Sequence, residues 1–387
     1  MIPRPFWVDR IERAWREAPI VWLAGVRRVG KTTLSQSLGA DRITYINCDL
    51  PVVGDMVADP ELFYRNCERP VVVFDEIHRL RDPSRLLKIG ADLFPKLRIL
   101  ATGSSTLAAS EKFRDTLTGR KRLVHLTPVL WDEIAAFQVP LLKRLHHGGL
   151  PQALLATSKS ASFYREWMDS FFARDIQRLF AFRAPEKFNA LFEYVLKQSG
   201  GIWEVARAAS ALAVSRATVE SYVRALEATH AVTLVRPFHG SGQKELVRAP
   251  KLYAFDTGFA SFARGWDPLR PEDYGLLWEH LVLEYLQAQA HIWAINYWRY
   301  ASGREVDFVV PCSRDRVDAI ECKWDPASFD PAPLKLFRSY YPRGANYLVS
   351  PIGTGGYAKK KAGLDIYVCN PEGLREHARK LVARNER

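Results

Sequence analysis

Gly25, Gly30, Lys31 and Thr32 have the types and the spacing of a loop that binds phosphate groups. The two glycines allow the backbone to curl so that successive N–H groups point inward and can hold an anion. Lys31 would reach the β- and γ-phosphates of a nucleotide, and the Thr32 hydroxyl would be a ligand of the Mg²⁺ that bridges them. The spacing therefore predicts a site for a nucleoside triphosphate and Mg²⁺.

The elements on either side of this loop support the same interpretation. Residues 20–24 form an apolar run that ends at the loop, and Leu34 and Leu38 follow it at helical spacing. This order predicts a strand, the loop and a helix whose positive dipole end faces the phosphates. The predicted nucleotide ligands are Gly25, Arg28, Val29, Gly30, Lys31, Thr32 and Thr33.

Two carboxylates, Asp75 and Glu76, come directly after the apolar run at residues 71–74. The pattern predicts a buried parallel strand with acids at its C-terminal end, where open α/β sheets bind ligands. Asp75 would complete the magnesium shell, and Glu76 would polarise the attacking water. A strand that merely ends in surface acids is the alternative.

Three further side chains are candidates for the same chemistry. A third predicted strand, residues 97–105, ends in hydroxyl residues, and Ser104 would sense the γ-phosphate or hold the water. Arg120 precedes a strand-like segment and is the candidate for an arginine that completes the site of a neighbouring subunit. Arg174 is a second candidate. A solvated surface face remains the alternative for Arg120, and a structural pairing with Asp175 remains the alternative for Arg174.

The loop strand, the acid-tipped strand and the third strand with a polar tip resemble, in this order, the additional-strand class of P-loop ATPases, the AAA+-like branch. The resemblance implies an α/β fold for residues 1–148, a parallel sheet with helices on both faces. It also implies ATP as the nucleotide and a homo-oligomer.

The middle of the chain follows a break at Gly148-Gly149, which predicts a hinge before a helical lid or linker at residues 149–200. Two helical patterns, a tight turn and two β-rich segments then resemble a winged-helix module at residues 201–256. Ser215 is the predicted N-cap of the second helix, and its apolar stripe is Val219, Tyr222, Val223 and Leu226. In a DNA-binding use this helix would offer Arg216, Thr218 and Arg224. Packing or protein interaction is the alternative use.

The C-terminal residues 257–387 contain a second set of charged side chains. Glu279 lies on the apolar stripe of a predicted helix, where a carboxylate is costly without a partner. Asp307 lies on one predicted strand, and Glu321 and Lys323 share one face of the next. Together they resemble a PD-(D/E)xK nuclease-like α/β core. The resemblance implies Glu279, Asp307 and Glu321 as metal ligands, with Lys323 stabilising charge or positioning water. Cleavage and binding without cleavage both remain open.

Taken together, the stretches VVVFDEIHRL, ATGSS, GGLP, GREVDF and IECKW resemble the bacterial and archaeal ATPases that end in a DUF4143 domain. The resemblance spans nearly the whole chain. It implies nucleotide and magnesium on Gly30, Lys31, Thr32 and Asp75, hydrolysis on Glu76, and a possible second metal on Asp307 and Glu321.

Composition limits the function classes. The 387 residues favour two or three folded units, and no apolar run approaches the roughly 18 residues of a membrane span. No export signal is visible at the first residues, so we expect a cytoplasmic protein without a membrane partner. The five cysteines form no CxxC pair, which argues against a zinc finger and a disulfide framework.

The net charge of +12 is spread along the chain. Basic residues outnumber acidic ones by 24 to 17 in residues 1–164, by 14 to 10 in residues 165–265 and by 17 to 16 in residues 266–387. A diffuse basic balance is compatible with a polyanionic partner such as DNA.

The sequence thus leads to one hypothesis and two alternatives. The first is a DNA-dependent ATPase, a motor or remodeller acting on duplex or branched DNA, as in branch migration. The alternatives are an ATP-gated, Mg²⁺-dependent DNA nuclease and a signalling NTPase switch that binds a protein. ATPase assays with and without DNA separate the first from the last.

Overall fold

The structure, a computed structural model, describes residues 1–103, 117–177, 180, 182, 184–238, 249–289, 294–352 and 355–385. In this part of the chain the strands form two sheets, one of five strands and one of nine. No helix within these residues has both the length and the apolar character needed to cross a membrane.

The first sheet contains the predicted phosphate-loop strand at an inner position. Its strands are β1 (Ile20–Ala24), β2 (Ile43–Asn47), β3 (Val71–Asp75), β4 (Arg98–Thr102) and β5 (Lys121–His125). They lie in the order β2-β3-β4-β1-β5, and every neighbouring pair is parallel. β1 and β3 are buried along their whole length, as expected for strands covered on both faces. The predicted parallel α/β sheet is confirmed.

Helices cover both faces of this sheet. They are α1 (Pro5–Glu17), α2 (Lys31–Gln36), α3 (Pro51–Met56), α4 (Pro60–Arg65) and α5 (Pro83–Leu93). Val21 and Leu23 of β1 pack in the core that contains α1, whereas Trp22 points into the core with α4 and α5. Alternate residues of one strand thus anchor helices on opposite sides.

The predicted lid or linker consists of helices that pack on the α1 side of the first sheet. Before them comes α6 (Leu141–His147), which lies within residues 1–148; the helices of the predicted lid are α7 (Pro151–Leu155), α8 (Ala161–Phe171), a π-helical turn at Phe172–Ile176 and α9 (Pro185–Lys197). Trp167 of α8 lies in the same core as Val26 and Val29 of the phosphate loop. These helices therefore help to fix the loop.

The predicted hinge at Gly148-Gly149 is a packed joint. Gly149 N donates to Asp256 Oδ2 at 2.6 Å. A Cβ atom at Gly148 would lie 1.9 Å from Asp256 Oδ1, so only glycine fits there. The segment brings the first sheet into contact with residues far along the chain.

The next unit has a helix–strand–helix–helix–strand–strand order that begins with α9. It continues with β6 (Gly201–Ile202), α10 (Val205–Leu212), α11 (Arg216–Ala228), β7 (Val232–Pro237) and β8 (Lys251–Ala254). The Ser215 hydroxyl accepts a hydrogen bond from Thr218 N at 3.0 Å, so the predicted N-cap is confirmed. All four residues of the predicted apolar stripe of α11 are buried. The winged-helix assignment itself stays a prediction.

The C-terminal unit completes the second sheet. Its elements are α12 (Thr257–Ala263), α13 (Pro271–Ala288), β9 (Asn296–Arg299), β10 (Glu305–Ser313), β11 (Arg316–Cys322), α14 (Ala332–Tyr340), β12 (Asn346–Val349), β13 (Gly356–Lys361), β14 (Leu364–Cys369) and α15 (Pro371–Asn385). β10 and β11 form an antiparallel hairpin, and β11, β12 and β14 are parallel neighbours. The nuclease-like assignment of this unit also stays a prediction.

The second sheet is continuous across the predicted boundary at residue 257. Its order is β13-β14-β12-β11-β10-β9-β7-β8-β6. β7 pairs with β9 in parallel, with Arg236 opposite Asn296 and Pro237 opposite Tyr297. Backbone hydrogen bonds therefore connect the unit at residues 201–256 to the C-terminal unit.

The turn Trp131–Glu133 ties three parts of the chain together. Asp132 Oδ2 accepts hydrogen bonds from Tyr285 of α13 at 3.1 Å and from Arg375 of α15 at 2.5 Å. Glu133 is paired with Arg4, whose guanidinium also donates to Val29 O of the phosphate loop at 3.2 Å. The C-terminal unit and the N-terminal segment are thus both anchored next to the loop.

Candidate nucleotide site and acidic cluster

The phosphate loop needs both of its glycines. Gly25 has a φ of 151°, and a Cβ atom there would lie 2.5 Å from Leu126 O, because the chain leaving β5 passes directly beside it. Gly30 has a φ of 101° and caps α2. Lys31 Nζ donates to Gly25 O at 2.8 Å and to Val26 O at 3.1 Å, so the ammonium group lies across the loop.

The charged ammonium group of Lys31 is largely shielded from solvent. Burial lowers its pKa, and the carboxylates of Glu76, Asp175 and Asp75 partly oppose this effect. A bound phosphate would favour the charged form further. The loop is therefore arranged to gain stability when an anion binds.

Asp75 is surrounded by three hydroxyl groups. Its Oδ2 accepts from Thr32 Oγ1 at 2.8 Å and from Tyr45 OH at 2.6 Å, and its Oδ1 accepts from Thr102 Oγ1 at 2.5 Å. Burial and the Asp75 hydrogen bond both raise the pKa of Tyr45. The donors come from α2, β2 and β4, so three elements fix the orientation of one carboxylate.

Thr32 and Asp75 fit a magnesium ion in their chemistry. Both offer oxygen atoms, and Mg²⁺ in nucleotide sites takes one or two protein ligands together with phosphate oxygens. Thr32 is exposed at the cavity, whereas Asp75 is only 4% exposed and stands behind it. These two residues would hold the ion, which would supply charge neutralisation on the phosphates.

Glu76 leaves the strand in a left-handed conformation, with φ 55° and ψ 42°. Its N–H donates to Thr102 Oγ1 at 3.0 Å, and His78 Nδ1 lies 3.1 Å from its Oε2. The contact with His78 lowers the pKa of Glu76; it outweighs burial, and Lys31 adds to it. Glu76 is therefore an ionised carboxylate that can accept a proton from water.

The phosphate loop and Glu76 line one cavity of about 610 Å³, a size within the range of small-molecule sites. All seven predicted nucleotide ligands and Glu76 line it. Further lining residues come from the N-terminus, from α7 and from the π-helical turn. The phosphate loop thus forms one wall of a compartment to which several units contribute.

The π-helical turn supplies residues that sequence reasoning largely missed. Arg174 and Asp175 both line the cavity, and Arg27 NH1 lies 3.4 Å from Asp175 Oδ2. Trp167 Nε1 donates to Arg27 O at 3.0 Å. The sequence analysis identified Arg174 and Asp175 as neighbours. It did not predict the π-helical turn that places both residues at the cavity beside the phosphate loop. Single π turns are frequent at functional sites.

Two predicted catalytic side chains, Ser104 and Arg120, are not among the described residues that line this cavity. Ser104 lies outside the described residues, and Thr102 is the hydroxyl at the end of β4 that contacts Asp75 and Glu76. Arg120 pairs with Asp92 at 2.6 and 3.1 Å, which lowers the pKa of Asp92. Arg120 precedes the amino end of β5. At about 3.3 Å per residue, the length of this strand separates Arg120 by about 16 Å from the edge of the sheet where the phosphate loop lies. Arg120 does not line the nucleotide cavity of its own chain.

We expect His78→Ala to lower kcat for ATP while leaving KM nearly unchanged. His78 orients the Glu76 carboxylate, and its described contacts include no residue of the phosphate loop. His78→Gln, which retains a hydrogen-bond donor, should recover part of the rate. Steady-state kinetics at several ATP concentrations measure both constants. A rise in KM with unchanged kcat would show that His78 serves binding instead.

The C-terminal acids form a buried cluster with lysines. Glu279 Oε1 accepts from Lys251 Nζ at 2.8 Å and from Tyr253 OH at 2.5 Å. Lys323 Nζ lies 3.2 Å from Asp307 Oδ2 and 3.1 Å from Glu321 Oε2. The structure thus brings all four predicted residues to one place, and it adds Lys251, which sequence reasoning missed because it lies far away in the sequence.

A divalent metal does not fit this cluster as well as it fits the nucleotide site. Within the described residues, no group of three or more His, Cys, Asp or Glu side chains is arranged to hold a metal ion. Burial and the nearby Asp307 charge raise the pKa of Glu321 well above its usual value. Lysine ammonium groups occupy the positions between the carboxylates.

The predicted DNA-contacting residues lie on α11. Arg216 and Arg224 are exposed, and Arg224 NH1 is 3.9 Å from Glu220 Oε2. Thr218 is half-buried, and its hydroxyl is 2.8 Å from Ser215 Oγ. The two arginines are therefore available to a phosphate backbone, while Thr218 serves the helix end.

Comparison with known families divides the chain into three parts. Residues 17–135 match an AAA domain, residues 140–270 match a domain of unknown function (DUF8612), and residues 274–360 match a second domain of unknown function (DUF4143). The AAA match agrees with the sheet order and with the nucleotide cavity. It supports ATP hydrolysis as the activity of the first domain.

Similar proteins include uncharacterized proteins of Mycobacterium tuberculosis and Mycobacterium bovis. Each is 29% identical over 323 residues, which span 81% of this chain and 72% of the relative. Among solved structures, the RuvB Holliday junction branch migration motor of Thermotoga maritima aligns at 17% identity over 61% of this chain and 90% of its own, with a TM-score of 0.31. A similarity of that size carries no functional argument.

Proposed function

We propose that this chain, an AAA domain followed by two further domains, is an ATP hydrolase that acts on DNA as a motor or remodeller of duplex or branched molecules. The observation that carries the enzymatic part is the meeting of Lys31, Thr32 and Glu76 at one cavity, with Asp75 bonded to the Thr32 hydroxyl behind it. Magnesium is the expected cofactor.

The residues divide the hydrolysis between them. The loop N–H groups and Lys31 bind the phosphates and neutralise their charge. Thr32 and Asp75 would hold the magnesium ion. Glu76 orients the attacking water and accepts its proton, with its carboxylate steadied by His78 at 3.1 Å.

The walls of the cavity support a mechanical use of this chemistry. Thr229, which follows α11, lines the cavity together with the phosphate loop. The next residue, His230, stacks on His125 at the end of β5, with ring centroids 4.0 Å apart. A change at the nucleotide can therefore reach the predicted winged-helix unit through direct contacts.

The DNA part is tested by binding measurements at increasing salt. Fluorescence anisotropy with labelled duplex and branched DNA should show binding that weakens steeply as salt rises, because phosphate contacts release counterions. The double variant Arg216→Ala/Arg224→Ala should bind more weakly with a shallower salt slope, whereas Arg13→Ala on α1 should not. Absence of binding at low salt would favour the alternative, an NTPase switch with a protein partner.

The proposed active form is a homo-oligomer in which Arg120 completes the neighbour's site. Arg120→Ala should bind ATP normally and hydrolyse it slowly, because transition-state charge would lose a partner. Mixing this variant with Glu76→Gln should restore activity, since some interfaces would then combine an intact Glu76 with an intact Arg120. Phosphate release measures both effects.

Arg122→Ala is the matched control for this test. Arg122 is also exposed near the start of β5 and pairs with Glu17 at 2.7 Å, so its loss removes an equal charge from the same region. It should hydrolyse ATP at the wild-type rate. A protein that stays monomeric by light scattering with ATP and DNA, yet turns over at full rate, would contradict the oligomer.

A further inference from the structure

We propose that Lys251 takes the place of a divalent metal ion in the C-terminal acidic cluster, so that the cluster is an ionic joint between β8 and the C-terminal unit and not a nuclease metal site. The inference is independent of the proposed ATPase function. It is carried by the position of Lys251, by the charge balance around it and by the use of the carboxylate oxygens.

The backbone fixes Lys251 in this position. Lys251 begins β8, which is paired on one side with β7, where it faces Val235, and on the other with β6, where it faces Ile202. The residue is only 4% exposed. Pairing of the backbone on both sides fixes the face of the sheet on which the Lys251 side chain lies.

The ammonium group bridges two carboxylates from different elements. Lys251 Nζ lies 2.8 Å from Glu279 Oε1 on α13 and 2.5 Å from Glu305 Oε1 on β10. Its Nζ also lies 5.9 Å from the ring centroids of Tyr253 and Tyr297. Carboxylates from two separate elements that converge on one cation are the arrangement in which a metal ion is otherwise found.

The described cations nearly balance the cluster. The carboxylates are Glu279, Glu305, Asp307 and Glu321. The cations in ion pairs with them are Lys251, Lys323 and Arg299, the last at 3.2 Å from Glu305 Oε2. A divalent ion would bring two more positive charges next to the buried Lys251 ammonium group and the half-buried Lys323 ammonium group, which repel it.

Two of the carboxylate oxygens that a metal would need already accept hydrogen bonds, whereas Glu321 Oε1 is buried without a hydrogen-bond partner among the described residues. Glu279 Oε1 accepts hydrogen bonds from both Lys251 and Tyr253. Asp307 Oδ2 accepts from Cys322 N at 2.7 Å and from Lys323 Nζ at 3.2 Å. A metal would have to displace these donors and leave buried polar groups unpaired, which is costly.

The ionic joint is a second contact between the unit at residues 201–256 and the C-terminal unit. Lys251 belongs to the unit at residues 201–256, whereas its carboxylate partners belong to the C-terminal unit. The ionic contact therefore reinforces the β7–β9 pairing at a second point.

Counting bound Mn²⁺ by electron paramagnetic resonance on the nucleotide-free full chain tests the proposal. Wild type and Asp307→Asn should bind the same number of ions, since any ion at the nucleotide site is common to both. Lys251→Met, which keeps the aliphatic stem and removes the charge, should gain one ion, and Lys251→Met/Glu279→Gln should lose it again. Lys251→Arg, which keeps the charge, is the control and should gain none.

Two results would overturn the proposal. One is a wild-type Mn²⁺ site that disappears in Asp307→Asn. The other is a folded Lys251→Met protein that gains no ion, because Lys251 would then not be what excludes the metal. If Lys251→Met does not fold, the comparison of wild type with Asp307→Asn tests the proposal. The second measurement is then the effect of Mn²⁺ on the melting temperature of each of these two proteins. A Mn²⁺-induced rise in wild type alone would contradict the proposal, and equal responses would support it.

Discussion

Glu76→Gln is expected to bind ATP as wild type does and to hydrolyse it about 100- to 10,000-fold more slowly, the usual contribution of a general base. The amide has nearly the same shape as the carboxylate but cannot take a proton from water. Since Lys31 and the loop N–H groups are unchanged, the phosphates should still bind. A fluorescent ATP analogue measures the affinity, and phosphate release measures the turnover.

Asp49→Asn is the matched control for this variant. Asp49 lines the same cavity, but its carboxylate pairs with Arg79 at 2.7 Å and not with a phosphate-loop residue. Its loss should leave turnover near the wild-type rate. Hydrolysis by Glu76→Gln at the wild-type rate would remove Glu76 from its role as the base.

Lys31→Ala is expected to weaken ATP binding by about 10- to 100-fold, the equivalent of one hydrogen bond to a charged group at about 1.5–3 kcal/mol. The ammonium group lies across the loop, bonded to Gly25 O and Val26 O, where a phosphate would meet it. Turnover should fall as well, because the same charge acts on the transition state. Calorimetric titration with ATP and Mg²⁺ measures the affinity.

Lys88→Ala removes the same charge from the exposed face of α5 in the same domain and serves as the control. It should bind ATP as wild type does. Equal affinities of Lys31→Ala and Lys88→Ala for ATP would contradict the assignment of the phosphate loop.

A nucleotide site could be proposed from the sequence because its parts are local. Gly25, Gly30 and Lys31 lie within one loop, and an apolar run that ends in Asp75 and Glu76 identifies its own strand. His78, two residues after Glu76, could have been found by the same reasoning, since a polar side chain so close in sequence to a carboxylate can contact it.

The contacts made between distant elements could not be predicted. Tyr45 and Thr102 reach Asp75 only because β2 and β4 flank β3 in the parallel sheet. Lys251 reaches Glu279 only because β7 joins β9 and so places β8 beside the C-terminal unit. Sheet order decides these contacts, and no short pattern in the sequence encodes it.

The steady-state rate of ATP hydrolysis by the wild-type chain, with and without duplex, single-stranded and branched DNA at low salt, tests the central claim most directly. The account predicts Mg²⁺-dependent hydrolysis well above that of Glu76→Gln, further increased by DNA, with the increase disappearing as salt rises. A wild-type rate no higher than that of Glu76→Gln would contradict the proposed hydrolase, and a rate that is the same with and without every DNA would contradict its action on DNA.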